Sequence, residues 1–159
     1  MARTELVPLI EDHIDDIVQA WVKAVRADER IHSDADLSEG GLRDHVPMML
    51  QELCDALREG ATPTISNTHE GRVHAYLRFC QGYRARDLAC EISLLRMTLT
   101  DHVNEYLLNG PYDLDLRSYI EAMRIINLYF DEELRYAFAI YTEQSSGIAT
   151  SPDPETRRS

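Results

Sequence analysis

Lysine is nearly absent from this chain. Lys23 stands alone, and 16 basic side chains in total face 28 acidic ones, for a net charge of −12. Phosphate backbones and anionic membrane surfaces are bound through Lys and Arg, so nucleic acid and membrane are excluded as partners. No apolar run approaches the ~20 residues needed to cross a bilayer. The opening MARTELVPLIEDHIDD carries acids where a signal peptide needs an apolar centre, which predicts a cytoplasmic protein. Seven glycines and six prolines are too few for a collagen-like or low-complexity architecture. The three cysteines, Cys54, Cys80 and Cys90, show no CxxC spacing. Each falls in an apolar helical pattern, which predicts buried, reduced thiols. Period-two alternation is also missing, and the one Asn-Gly pair, Asn109-Gly110, is not flanked by it, so nothing supports a β-sheet.

The motifs of common chemistry are missing too. A di-iron bundle needs Glu-x-x-His twice, and the chain does not carry the pattern twice. Neither His-Glu-x-x-His nor a Gly-x-Ser-x-Gly elbow is present, and no GxGxxG or Walker loop is available to cradle phosphates. The six histidines are scattered, and no Cys/His set has the spacing of a structural zinc site. The expectation is therefore no catalytic residue, no metal and no cofactor.

What the chain does have is helical periodicity almost throughout. With 44% apolar residues in 159, there is enough to fill one core. Leu6, Ile10, Ile14, Ile17, Trp21 and Val25 recur at steps of three and four and predict a first helix of about six turns. Ser38 is placed to cap a second helix, whose stripe is Leu42, Val46, Met49, Leu53 and Leu57. Pro47 lies inside that stripe and predicts a kink or a restart near Val46. A third helix is expected from about Ser66 to Gln81, with Val73, Leu77 and Cys80 facing inward. Gly82 stops it in the left-handed conformation, with Tyr83 as the apolar follower. A fourth begins near Ala85 with the stripe Leu88, Ile92, Leu95, Leu99 and Val103, and ends at Asn109-Gly110-Pro111. The last starts at Asp113 or Asp115 and runs to about Ser145 on one seam of Tyr119, Met123, Ile126, Phe130, Leu134, Ala137 and Tyr141. The predicted fold is a single-domain all-α bundle of four to five helices over residues 1–145, with a long C-terminal helix and a flexible tail or linker at 146–159.

One polar constellation interrupts these stripes. Between Glu70 and Arg96 the chain reads EGRVHAYLRFCQGYRARDLACEISLLR. His74 and Arg78 share one helix face, Gly82 and Tyr83 turn the chain, and Glu91 and Arg96 follow on the next helix. A tight turn makes the two helices antiparallel neighbours, so Glu91 could meet His74 and Arg78 inside the bundle. Two readings are open: a structural network that fixes helix register, or a signal-sensing site made of His74, Arg78, Tyr83, Glu91 and Arg96. The acidic side chains are concentrated in the first 60 residues and form either a solvated face or an interface for a basic partner.

The stretch H-A-x-x-R-x-x-Q-G-Y, followed by D-L-x-x-E-x-x-L-L-R, resembles the N-terminal domain of RsbT co-antagonist proteins of the RsbR/RsbRD type. WVKAVRADERI and DLSEGGLRDHVPMMLQEL extend the similarity over residues from about 10 to 140. The matching positions include Trp21, Arg26, Leu37, Ser38, Pro47, His74, Arg78, Gln81, Gly82, Tyr83, Glu91, Leu95 and Arg96. The resemblance implies a helical sensory or regulatory input without enzymatic activity. Such domains stand ahead of output modules in stress-response proteins, in histidine kinases and in PucR-like regulators. No output module follows here, which leaves open an input domain of a longer protein or a stand-alone regulator. Signalling would proceed through helix packing or dimer geometry. Met123, Ile126, Phe130, Leu134 and Tyr141 form the expected homodimer seam, on the reasoning that the long last helix overhangs its neighbours and must cover an adhesive face. A protein–protein interaction scaffold, and more remotely a small-ligand or haem-binding bundle, are the alternatives.

Overall fold

In a computed structural model, the structure describes residues 3–64, 67–111 and 114–148. These residues form seven helices and no strand: α1 (Arg3–Glu11), α2 (Ile14–Ala27), α3 (Glu39–Arg43), α4 (Val46–Glu59), α5 (His69–Cys80), α6 (Ala85–Asn109) and α7 (Leu116–Ile148). The fold is the expected all-α single domain with a long last helix. Two of the expected segments are each divided.

The first division falls at Asp12-His13. The apolar stripe continues across it, with Leu6, Ile10, Ile17, Trp21 and Val25 all buried, so its periodicity carries no sign of the break. The two halves have different partners. α1 packs mainly on α4, whereas α2 packs on α6. His13 leaves the helical region (φ −122°, ψ 16°) to make the bend, and its Nδ1 donates to the carbonyl of Leu9 at 2.8 Å. The second division is the restart expected at Pro47. Ser38 caps α3 by accepting from the Gly41 N–H at 3.0 Å. His45 then adopts a left-handed φ of 61° and α4 begins at Val46. Pro47 thus sits in the first turn, where its missing N–H has no helical partner to lose.

Gly82 performs its expected role. It has φ +79°, its N–H bonds to the Phe79 carbonyl at 3.0 Å, and the Tyr83 N–H bonds to the Arg78 carbonyl at 3.0 Å. This bond pair closes α5 in a Schellman turn and sends α6 back alongside it. α7 opens at Asp115, whose carboxylate accepts from the Ser118 N–H at 3.1 Å. The alternative start, Asp113, lies outside the described residues. α7 then runs antiparallel to α6, with Tyr119 hydrogen-bonded to Asn104 and Arg96 paired to Asp131. It extends to Ile148, three residues past the expected end. The remainder of the expected tail, 149–159, lies outside the described residues.

Three expectations are corrected here. The seam of α7 does not face outward: Ile126 and Phe130 are fully buried, while Met123, Leu134 and Tyr141 are half-buried against the core. α5, α6 and α4 cover this seam within one chain, because α5 and α6 fold back as a hairpin along it. The inward face of α5 is not Val73, Leu77 and Cys80 but Gly71, His74, Ala75 and Arg78. Of the cysteines only Cys54 is buried, whereas Cys80 is exposed and Cys90 half-buried.

Candidate functional site

The inward face of α5 is polar, and the site follows from that. Arg78 lies in the last turn of α5 and Glu91 in the second turn of α6, so the Gly82 reversal brings them together. Arg78 Nε donates to Glu91 Oε1 at 2.8 Å, and His74 Nε2 lies 3.0 Å from the same oxygen. The three residues are 1%, 0% and 2% exposed for Arg78, Glu91 and His74. The remaining guanidinium donors reach the carbonyls of Gly41 (3.1 Å) and Leu42 in α3 and the Gln81 side chain at 2.9 Å. The Tyr83 ring lies 5.2 Å from the guanidinium carbon. From the other side, the indole of Trp21 on α2 donates to the Glu91 carbonyl at 3.1 Å. One cluster therefore ties α2, α3, α5 and α6.

Burial pushes the Glu91 carboxyl toward the neutral form, but His74 and Arg78 outweigh burial and hold it below the ordinary 4.5. It is an anion, matched to a buried guanidinium. Burial and the Glu91 charge push the Tyr83 phenol well up. Tyr141 on α7 donates its hydroxyl to the Tyr83 carbonyl at 2.6 Å, which links the last helix to the same turn.

His74, Arg78, Tyr83 and Glu91 are thus brought together, and Arg96 is not. Its side chain is one-third exposed and pairs with Asp131 at 3.7 Å. The two residues lie five apart on α6, which places Arg96 on a different side of the helix from Glu91.

Sequence reasoning missed two fully buried acids, Asp87 and Glu133, and the half-buried Glu52. Asp87 is fully buried and accepts from the N–H groups of His32 and Ser33 and from the Ser33 hydroxyl, at 3.1, 3.0 and 2.6 Å. Burial opposes its charge, yet these donors and Arg84 keep it below its ordinary value. It pins the loop after α2 to the start of α6. Glu52 on α4 accepts from the Tyr129 hydroxyl at 2.7 Å and from the Glu70 N–H at about 3.0 Å.

Glu133 on α7 is the unusual member. It is fully buried, and neither carboxyl oxygen has a hydrogen-bond partner. Burial, then the Glu91 charge, push its pKa well above 4.5, against a smaller opposing pull from Arg78. Gly71 of α5 lies opposite it, so that a Cβ there would stand 3.6 Å from Glu133. A signal was present in the sequence: Glu133 stands three residues after Phe130 and four before Ala137, a spacing that puts it on the same buried face, beside Leu134.

Among the described residues, no group of three or more His, Cys, Asp or Glu side chains is arranged to hold a metal. The hydroxyl in the cluster is the buried phenol of Tyr83, which burial and the Glu91 charge hold in its neutral form. The chemistry of the cluster is that of a charged clamp, satisfied on many sides, beside one uncharged acid.

The chain belongs to the family of the RsbT co-antagonist protein rsbRD N-terminal domain, which it matches over residues 15–153. The matched region takes in the whole of the polar cluster and the helices that build it. No curated protein and no solved structure matches the chain. Among the described residues, no helix is long and apolar enough to cross a membrane.

Proposed function

We propose that this domain is a non-enzymatic input module of stress-response signalling, in which the Arg78–Glu91–His74 cluster holds one of two helix packings. The observation that carries this reading is the buried ion pair itself. A buried pair seldom stabilises a fold more than an apolar pair of equal volume would. Its distinctive property is that it accepts one geometry and penalises displacement. Here it connects α2, α3, α5 and α6, and Tyr141 connects its turn to α7. A signal that binds one packing more tightly shifts the population toward it, and α7 carries the change to a partner protein or an output module. The family's name points to antagonism within an RsbT-type switch as the pathway class. Ile126 and Phe130 of the α7 seam are committed to the chain's own core, and Met123, Leu134 and Tyr141 are half-buried against it.

The test replaces Glu91 with Gln in the native gene and follows stress-induced transcription, with immunoblotting to hold protein abundance equal. An altered threshold or amplitude at equal abundance supports the reading. A wild-type response from a variant shown to repack in vitro refutes it.

A further inference from the structure

The break between α1 and α2 faces the last turn of α6 across a cleft of about 520 Å³, bordered by His13, His102, Glu105, Tyr106, Asn109 and Pro111. None of the residues that border this cleft belongs to the charged cluster. We propose that it binds a small organic cation bearing an N–H group on an aromatic or apolar body.

The walls dictate that chemistry. Three rings form one aromatic surface: His13 and Tyr106 have centroids 4.2 Å apart, His102 and Tyr106 4.9 Å, and His13 and His102 5.8 Å. Such a surface favours a flat apolar body, and the Tyr106 ring also attracts a cation. Several of the polar groups around it are acceptors. His13 spends its Nδ1 proton on the Leu9 carbonyl, so the neutral ring is left with a bare Nε2 lone pair. Glu105 adds a carboxylate at an exposed position. The end of α6 adds carbonyl oxygens and the negative pole of its dipole. Neither Lys nor Arg borders the cleft, so an anionic ligand would meet no fixed countercharge. Among the described residues that border the cleft, His102 has a buried Nε2 without a hydrogen-bond partner. The cleft also lies where binding has a mechanical consequence. An occupant spanning the break would set the angle between α1 and α2, and α2 carries Trp21.

The test uses 2-phenylethylammonium as the probe and 3-phenylpropionate, its charge-reversed counterpart, as the control. Saturation-transfer NMR and calorimetry on the intact chain at pH 7.5 measure both. The ammonium should bind saturably and the carboxylate should not. Glu105→Gln, a change at an exposed position that leaves packing intact, should weaken ammonium binding by on the order of fivefold. Circular dichroism verifies its fold. Absence of saturable ammonium binding overturns the proposal. So does equal or tighter binding of phenylpropionate, or wild-type affinity in Glu105→Gln, which would show only diffuse attraction to an acidic surface. Binding is read directly from the probe, so this outcome is independent of the signalling role.

Discussion

Replacing Glu91 by Gln should be among the most damaging single changes in this protein. Gln preserves volume and shape but removes the carboxylate that Arg78 Nε and His74 Nε2 contact. The guanidinium would keep the Gly41 and Leu42 carbonyls and Gln81, yet it would remain a buried cation without a countercharge. Breaking one side of such a pair costs about 3–5 kcal/mol. For a chain of this length each kcal/mol lowers Tm by roughly 2–4 °C, so a fall of roughly 6–20 °C is expected. Arg78→Met should be comparably harmful, because it leaves Glu91 an anion with His74 alone. The double variant Arg78→Met/Glu91→Leu removes both charges. It should cost at least ~2 kcal/mol less than the sum of the singles. It should still fall below wild type, because the Gly41 and Leu42 carbonyls lose their donor at ~1–3 kcal/mol in total. Urea unfolding at pH 7, followed by far-UV circular dichroism and by the emission of Trp21, gives all four corners of the cycle. Strict additivity of the single costs, or a Glu91→Gln variant within ~0.5 kcal/mol of wild type, would refute the clamp.

Glu133→Gln should stabilise the protein more as pH rises. The folded-state pKa of Glu133 lies above its unfolded value, so its favourable contribution is complete below about 4.5 and is lost as pH rises toward the folded value, by up to ~1.4 kcal/mol per unit. A Tm difference between Glu133→Gln and wild type that stays constant from pH 4 to 8 would contradict this. Phe130→Ala should cost ~3–5 kcal/mol through cavity formation without changing the sedimentation coefficient of the folded protein; a change in association state would return the seam to an interface. Gly82→Ala should destabilise by about 1 kcal/mol, because φ is +79° there. Gly71→Ala should be neutral or stabilising by up to ~1 kcal/mol, since its Cβ would meet only ordinary contacts, and thermal melts of the pair test the contrast. A thiol reagent should modify exposed Cys80 in the native state and leave Cys54 untouched until unfolding, since burial pushes the Cys54 thiol up to about 12.

The local rules settled most of the chain's punctuation. Ser38, Pro47, Gly82 and Asn109-Gly110-Pro111 act through their own backbone preferences, which hold whatever surrounds them, and each ends or begins a helix as the sequence requires. The meeting of His74, Arg78 and Glu91 was also legible. Two polar residues one turn apart, a reversal at Gly82 and an acid on the returning helix leave few other geometries. The rest depended on which element packs against which. The stripe through Leu6, Ile10, Ile17 and Trp21 runs unbroken across Asp12-His13, and only the separate partners of α1 and α2 bend it there. On α5 the apolar residues Val73, Leu77 and Cys80 gave the wrong inward face. The α7 seam and the returning α6 helix fixed its rotation around Arg78, and a buried guanidinium with acceptors from three sides outweighed that weak apolar stripe. The α7 seam itself was read correctly as apolar and wrongly as free, because periodicity shows that a face must be covered and carries no information on what covers it. Glu133 shows the same division. Its place in the stripe is a fact of sequence, but its uncharged state arises from burial beside Glu91, a neighbour 42 positions away that only the tertiary fold brings near.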